Sequence, residues 1–187
     1  LDAPEGRKAG GTKHNITVLM SDLRGFTALC EEIDNDRIMD MLNHYLRHMG
    51  KIIKHRNGTI ISYSGDGILA VFGQPIHSDN HAVDAVVCAL EMQKAMGAVN
   101  KWNKENGFPP LKMGIGINTG DAVIGNMGSK YGMRYNIIGS CVNLCGRIEG
   151  YTVAGQVFVS PSTRELIPYE LEIDDKFEVH PKGVLRP

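Results

Sequence analysis

Charge of one sign is what this sequence lacks most. Its lysines and arginines number 20 against 21 aspartates and glutamates, a formal net charge of -1 over 187 residues. No general field draws such a chain to nucleic acid or an anionic bilayer, so phosphate binding must come from a local site and the expected ligand is small. Long apolar runs are missing too: none approaches the roughly 18 residues that span a bilayer, and no signal-peptide pattern opens the chain. The expectation is a cytoplasmic domain with no direct membrane contact, although a parent protein could be tethered. The four cysteines, Cys30, Cys88, Cys141 and Cys145, form no CxxC pair and no Cys/His cluster. That spacing argues against a zinc site and a disulfide framework, and it fits a reducing compartment.

What is present suits one domain, since 42% hydrophobic and 22% charged residues over this length allow a sizeable core. The polar, Gly-rich opening, residues 1–14, reads as a linker or cloning remnant. Residues 15–187 read as the folded unit, a piece of a longer protein.

Residues 15–20 (NITVLM) are β-branched and too short for a helix, which predicts a buried strand ending at Ser21-Asp22. Over 27–56, apolar residues recur at three- and four-residue steps, predicting helix with a break near Asp34-Asn35. Residues 59–64 and 68–72 flank Gly65-Asp66-Gly67, a hairpin signal that puts Asp66 at a turn. A second amphipathic helix is predicted over 79–104, with Val83, Val86, Val87, Leu90, Met96 and Val99 inward. A second hairpin is read from 113–118 and 122–125 around Thr119-Gly120-Asp121. A polar loop, a short helix over 142–151, a strand over 156–160, a brief helix over 161–166 and strand-rich 171–179 complete the order. Such an order predicts an α+β domain: a ferredoxin-like core with a mostly antiparallel sheet and helices packed on it. In that core the end of the first strand lies beside the following hairpin, which brings Asp22 and Asp66 together from 44 positions apart.

Two carboxylates on strand ends, each near glycine, suit Mg²⁺ or Mn²⁺ shared with substrate phosphates. The helix starting near Thr27 would turn its free N–H groups toward an anion bound there. Taken singly, Asp22 reads as a helix cap and Asp66 as a turn residue, the commoner fate of either alone. Asn143 and Arg147, four apart on a short helix, share one face and can hold one ligand, or stand as a solvated face. Cys141 and Cys145, at the same spacing, read as packing residues. The seven histidines form no credible Ser/His/Asp or Cys/His constellation.

The strings SDLRGFT (21–27), SYSGDGILAVFG (62–73), INTGDAVIGNMG (117–128) and YNIIGSCVNLCGRIE (135–149), in that order and at those separations, resemble the catalytic domain of class III adenylyl and guanylyl cyclases. The likeness spans about residues 15–183. It implies the class III nucleotidyl cyclase fold and a lyase that closes a nucleoside triphosphate into its 3′,5′-cyclic monophosphate with two Mg²⁺ or Mn²⁺ ions per site. By resemblance, Asp22 and Asp66 are the metal ligands, with the Leu23 carbonyl as a further one, and Phe26 and Thr27 cradle the phosphates. Asn143 places the ribose, Arg147 stabilises charge at the α-phosphate, and Lys182 binds the terminal phosphates. The resemblance also implies a head-to-tail homodimer with shared active sites, in which one chain supplies the metals and the other the purine pocket, Asn143 and Arg147.

The sequence departs from the family at the positions that select the base. Adenylyl cyclases usually carry lysine and aspartate or threonine there, and guanylyl cyclases glutamate and cysteine; here they are Ser62 and Asn136. A hydroxyl and an amide can each donate or accept, so either purine fits; the resemblance to bacterial members of the family favours ATP over GTP. Gly114 stands where many relatives carry a phosphate-contacting arginine. Two other readings compete: a degenerate cyclase domain that binds nucleotide or dimerises to regulate a partner, and a diguanylate cyclase, whose GG[DE][DE]F signature is missing.

Overall fold

The computed structural model describes residues 10–129, 131–176 and 178–179. Its strands are β1 (Gly10–Leu23), β2 (Thr59–Ser64), β3 (Gly67–Phe72), β4 (Met113–Ser129), β5 (Gly132–Ile138) and β6 (Val157–Val159). Its helices are α1 (Phe26–Glu32), α2 (Asn35–His55), α3 (His81–Glu105), α4 (Ser140–Gly150) and α5 (Pro161–Arg164). The strands form one sheet in the order β2-β3-β1-β4-β5, with β6 parallel to β4 and every other pairing antiparallel. The expected ferredoxin-like α+β core is therefore present, extended by β5 and β6. Among the described residues no helix is long and apolar enough to cross a membrane.

The central strand β1 is buried on both faces because helices cover both. On one side Leu19 and Leu23 meet α2 and α3; on the other Ile16 and Val18 join Cys141 and Cys145 of α4. Helix α2 turns Ile38, Met41, Tyr45, Met49 and Ile53 inward at helical spacing, all at most 7% exposed. The inner face of α3 is built largely from alanine, at Ala82, Ala85 and Ala89, with Met92, Met96 and Val99. Leu90, expected inside, is 55% exposed: the small alanines take the positions nearest the sheet and leave Leu90 on the outer side.

Four further readings change. Residues 10–14, expected to be linker, form the start of β1 and pair with 122–126 of β4. The hairpin expected around Thr119-Gly120-Asp121 is one continuous 17-residue strand. Gly120 is glycine for another reason, since a Cβ there would stand 2.9 Å from Cys141 Cβ of α4. The hydroxyl of Thr119 is bonded to those of Thr17 and Thr163 inside the core, at 2.7 and 2.9 Å. The polar loop after β4 contains β5, in which exposed Arg134, Asn136 and Ile138 alternate with the more buried Met133, Tyr135 and Ile137. Residues 171–176 and 178–179 carry no strand.

Helix α4 reaches the sheet closely only because β4 offers it bare backbone. A Cβ on Gly116 would lie 2.5 Å from the Glu149 amide nitrogen, and that backbone cannot move without displacing the helix. Gly116→Ala is expected to cost about 2 kcal/mol, within the usual range for overpacking. Urea denaturation checks it; unchanged stability would show that α4 is free to shift.

Candidate active site

Pairing of β1 with β3 sets Ser21 opposite Ile68, so Asp22 emerges beside the tight turn at Gly65-Asp66. Gly65 takes a left-handed φ of 61°, which glycine supplies without steric cost. The Leu23 amide donates to Asp66 Oδ2 at 3.1 Å, locking the turn onto the end of β1. Asp22 and Asp66, separated in sequence, are thus neighbours. Burial first, and then the charges of Asp66 and Glu149, push the Asp22 carboxyl up to about 6 against the opposing pull of Arg24.

This donor set fits a hard divalent cation. Two oxygen donors of like charge sit side by side, one of them destabilised as an anion, and a cation relieves both penalties at once. Among the described residues no cluster of three or more His, Cys, Asp or Glu side chains offers a closed metal cage. Magnesium is commonly held by one or two carboxylates, with water and substrate phosphates completing its shell.

Helix α1 begins at Phe26, after Gly25 in the left-handed region at φ 76°, and no side chain caps its N-terminus. Phe26 is buried and Thr27 exposed, so the one anchors the turn and the other faces outward. On α4, Cys145 donates to the Val18 and Gly116 carbonyls, each at 3.3 Å, and Cys141 to the Asp121 carbonyl at 3.3 Å. The cysteines are packing residues, as expected, and they orient the helix. Asn143 is left exposed and Arg147 half-buried. Among the described residues neither side chain has a hydrogen-bond or ion-pair partner. The arginine that stands beside Asp22 is Arg24.

Ser62 and Asn136 lie on the two edge strands β2 and β5, and the sheet curls enough to bring these strands within 8 Å at Cα. Both residues are exposed. The Asn136 Oδ1 accepts the Ile137 amide at 2.8 Å. A backbone N–H can only donate, so this contact turns the Asn136 NH₂ group outward. Lys182 lies outside the described residues.

Sequence reasoning missed Arg24, Glu149 and Thr152. The Arg24 guanidinium reaches Asp22 Oδ2 at 3.4 Å, the Glu149 carboxylate, the Glu149 carbonyl at 3.0 Å and Thr152 Oγ1 at 2.5 Å. It occupies the space over Gly114, where a Cβ would collide with it and with the Thr152 hydroxyl. The pair Gly114 and Gly116 on one strand was the available signal.

In the folded chain Asp22 takes up its proton near pH 6, against 3.8 ordinarily. The folded state therefore binds the proton first on acidification, and the penalty of ionised Asp22, full above about pH 6, is recovered as pH falls toward 3.8. With chelator present, Asp22→Asn is expected to raise the Tm above that of the unsubstituted chain at about pH 8, with the difference shrinking by about pH 5. Thermal melts at both values check it, and a difference that grows on acidification would contradict it.

The family model of the adenylate and guanylate cyclase catalytic domain matches residues 10–186. The chain is similar to an adenylate cyclase of Anabaena cylindrica, 34% identical over 161 residues, covering 80% of this chain and 30% of that protein. Among solved structures it is similar to the guanylyl cyclase Cya2, with a TM-score of 0.91 and 44% identity over 94% of this chain and 89% of that one. The adenylyl cyclase CyaB from P. aeruginosa gives a TM-score of 0.91 and 37% identity, covering 96% and 93%. The chain spans less than a third of the length of the first curated relatives it matches. With the motifs, the fold and the paired carboxylates in agreement with these matches, the chain belongs to the adenylate and guanylate cyclase catalytic domain family.

Proposed function

We propose that this chain closes a purine nucleoside triphosphate into the 3′,5′-cyclic monophosphate, releasing pyrophosphate, at active sites shared by two copies arranged head to tail. One observation carries the shared site. Asn143 is exposed and Arg147 half-buried on α4, and among the described residues neither side chain has a hydrogen bond or ion pair, with Asp22, Asp66 or any other group, so each half of the machinery is incomplete within one chain.

In this reading the ribose 3′-oxygen forms a bond to the α-phosphorus as the bond from that phosphorus to the β-phosphate oxygen breaks. Asn143 of one copy orients the ribose, and Arg147 stabilises charge growing on the α-phosphoryl oxygens. Asp22 and Asp66 of the other copy hold two Mg²⁺ or Mn²⁺ ions, with the Leu23 carbonyl as a further ligand. When bound, such ions neutralise phosphate charge and acidify the 3′-hydroxyl. The first turn of α1, at Phe26 and Thr27, receives phosphate oxygens on uncapped N–H groups. Lys182 is assigned to the terminal phosphates by resemblance.

The base is read by Ser62 and Asn136. ATP is the first reading, as for the adenylate cyclases among the relatives. GTP is the second, and one observation favours it: the Asn136 NH₂ group, turned outward by the Ile137 amide, suits the guanine carbonyl and meets the adenine amino group donor to donor. Asn136→Asp replaces those donors with acceptors. It is expected to shift the ratio of ATP to GTP turnover toward ATP by about tenfold, the worth of one well-placed hydrogen bond. Initial rates with each nucleotide measure the shift, and an unchanged ratio removes Asn136 from base selection.

Asp22→Ala is expected to abolish activity and leave the fold intact, because it removes a half-exposed ligand and no core volume. Arg147→Ala should lower kcat by about 10²- to 10³-fold. Mixing Asp22→Ala chains with Asn143→Ala chains should restore one working site per mixed dimer. Zero activity in a mixture whose subunits demonstrably exchange would defeat the shared site. No cyclic product from the unsubstituted dimer would favour the nucleotide-binding or regulatory reading.

A further inference from the structure

The contacts of Arg24 join two parts of the fold that the shared-site reading assigns to different active sites. On one side is Asp22, a metal ligand. On the other are Glu149 and Thr152, at and just beyond the C-terminal end of α4, the helix that carries Asn143 and Arg147 for the second site. Arg24 is firmly placed: its amide donates to the Lys112 carbonyl at 2.8 Å, and its side chain lies in the space left by Gly114, the residue paired with Asp22 across β1 and β4. Its Nε is buried and has no partner among the described residues, which hold the guanidinium by its two terminal nitrogens. Glu149 is itself largely buried, its side chain 15% exposed, and depends on that guanidinium for its charge partner.

We propose that Arg24 is a positioning residue that couples the Asp22–Asp66 pair to helix α4, so that loading one site with divalent ions tightens the helix that serves the other. This rests on the shared-site reading. Without ions, one guanidinium is divided between Asp22 and Glu149. Cations at Asp22 and Asp66 compete for the Asp22 oxygens and repel the guanidinium, which shifts its hydrogen bonding toward Glu149 and Thr152. The last turn of α4 gains what Asp22 loses.

Hydrogen exchange with Mn²⁺ alone, without nucleotide, tests this at a protein concentration where Mn²⁺ leaves the molecular mass unchanged. Mn²⁺ binding is followed separately by electron paramagnetic resonance. In the unsubstituted chain, Mn²⁺ is expected to slow exchange of amides 145–152 by at least about threefold, as strengthening of one charge-assisted bond would do. Arg24→Gln should still bind Mn²⁺ but lose the slowing. Thr152→Val, a milder change that removes one guanidinium acceptor, should reduce it. Slowing that persists unchanged in both variants, or is absent from an unsubstituted chain that binds Mn²⁺ and makes cyclic product, overturns the coupling and leaves the cyclase reading standing. A chain that binds no Mn²⁺ overturns both.

Discussion

Two carboxylates forced into contact are the constraint around which this domain is arranged. Burial disfavours the Asp22 carboxylate and the charge of Asp66 adds to the penalty, so the isolated pair disfavours the fold that creates it. The surroundings hold it regardless. Strand β1 is clamped by β3 on one side and by fourteen residue pairings with β4 on the other, and the Leu23 amide fastens the Asp66 turn. Arg24 supplies the one cation beside Asp22 among the described residues. A site built this way is poised for divalent ions, because their binding removes a cost that folding has already met.

Close approach of backbone to backbone is the second theme. Gly116 and Gly120 let α4 lie flush on β4, and Gly114 makes room for the Arg24 guanidinium. The same helix is held from beneath by Cys141 and Cys145, whose thiols donate to strand carbonyls. With the inner face fixed in this way, Asn143 is left exposed and Arg147 half-buried, the arrangement on which the proposed shared site rests.

Much of this arrangement was legible in the sequence, for identifiable reasons. Strong local signals gave the hairpin at Gly65-Asp66, the break before α2 and the long α3, and topology then brought the two aspartates together. Where sequence reasoning failed, tertiary contacts had overridden local ones. Gly120 reads as a turn residue but serves contact with α4, and the short alternation of Met133, Tyr135 and Ile137 with exposed neighbours in β5 reads as loop. Leu90 reads as core until the alanines of α3 are seen to lie nearer the sheet. The Arg24–Glu149–Thr152 contacts join residues more than 120 positions apart, and only the glycines of β4 hinted at them.

The central claim is that this domain cyclises a nucleoside triphosphate, and product analysis tests it most directly. Purified chain, folded and dimeric, would be incubated with Mn²⁺ and either ATP or GTP, and the products identified by mass. The account predicts cyclic AMP, cyclic GMP or both, together with pyrophosphate. The absence of any cyclic product from either nucleotide would contradict it.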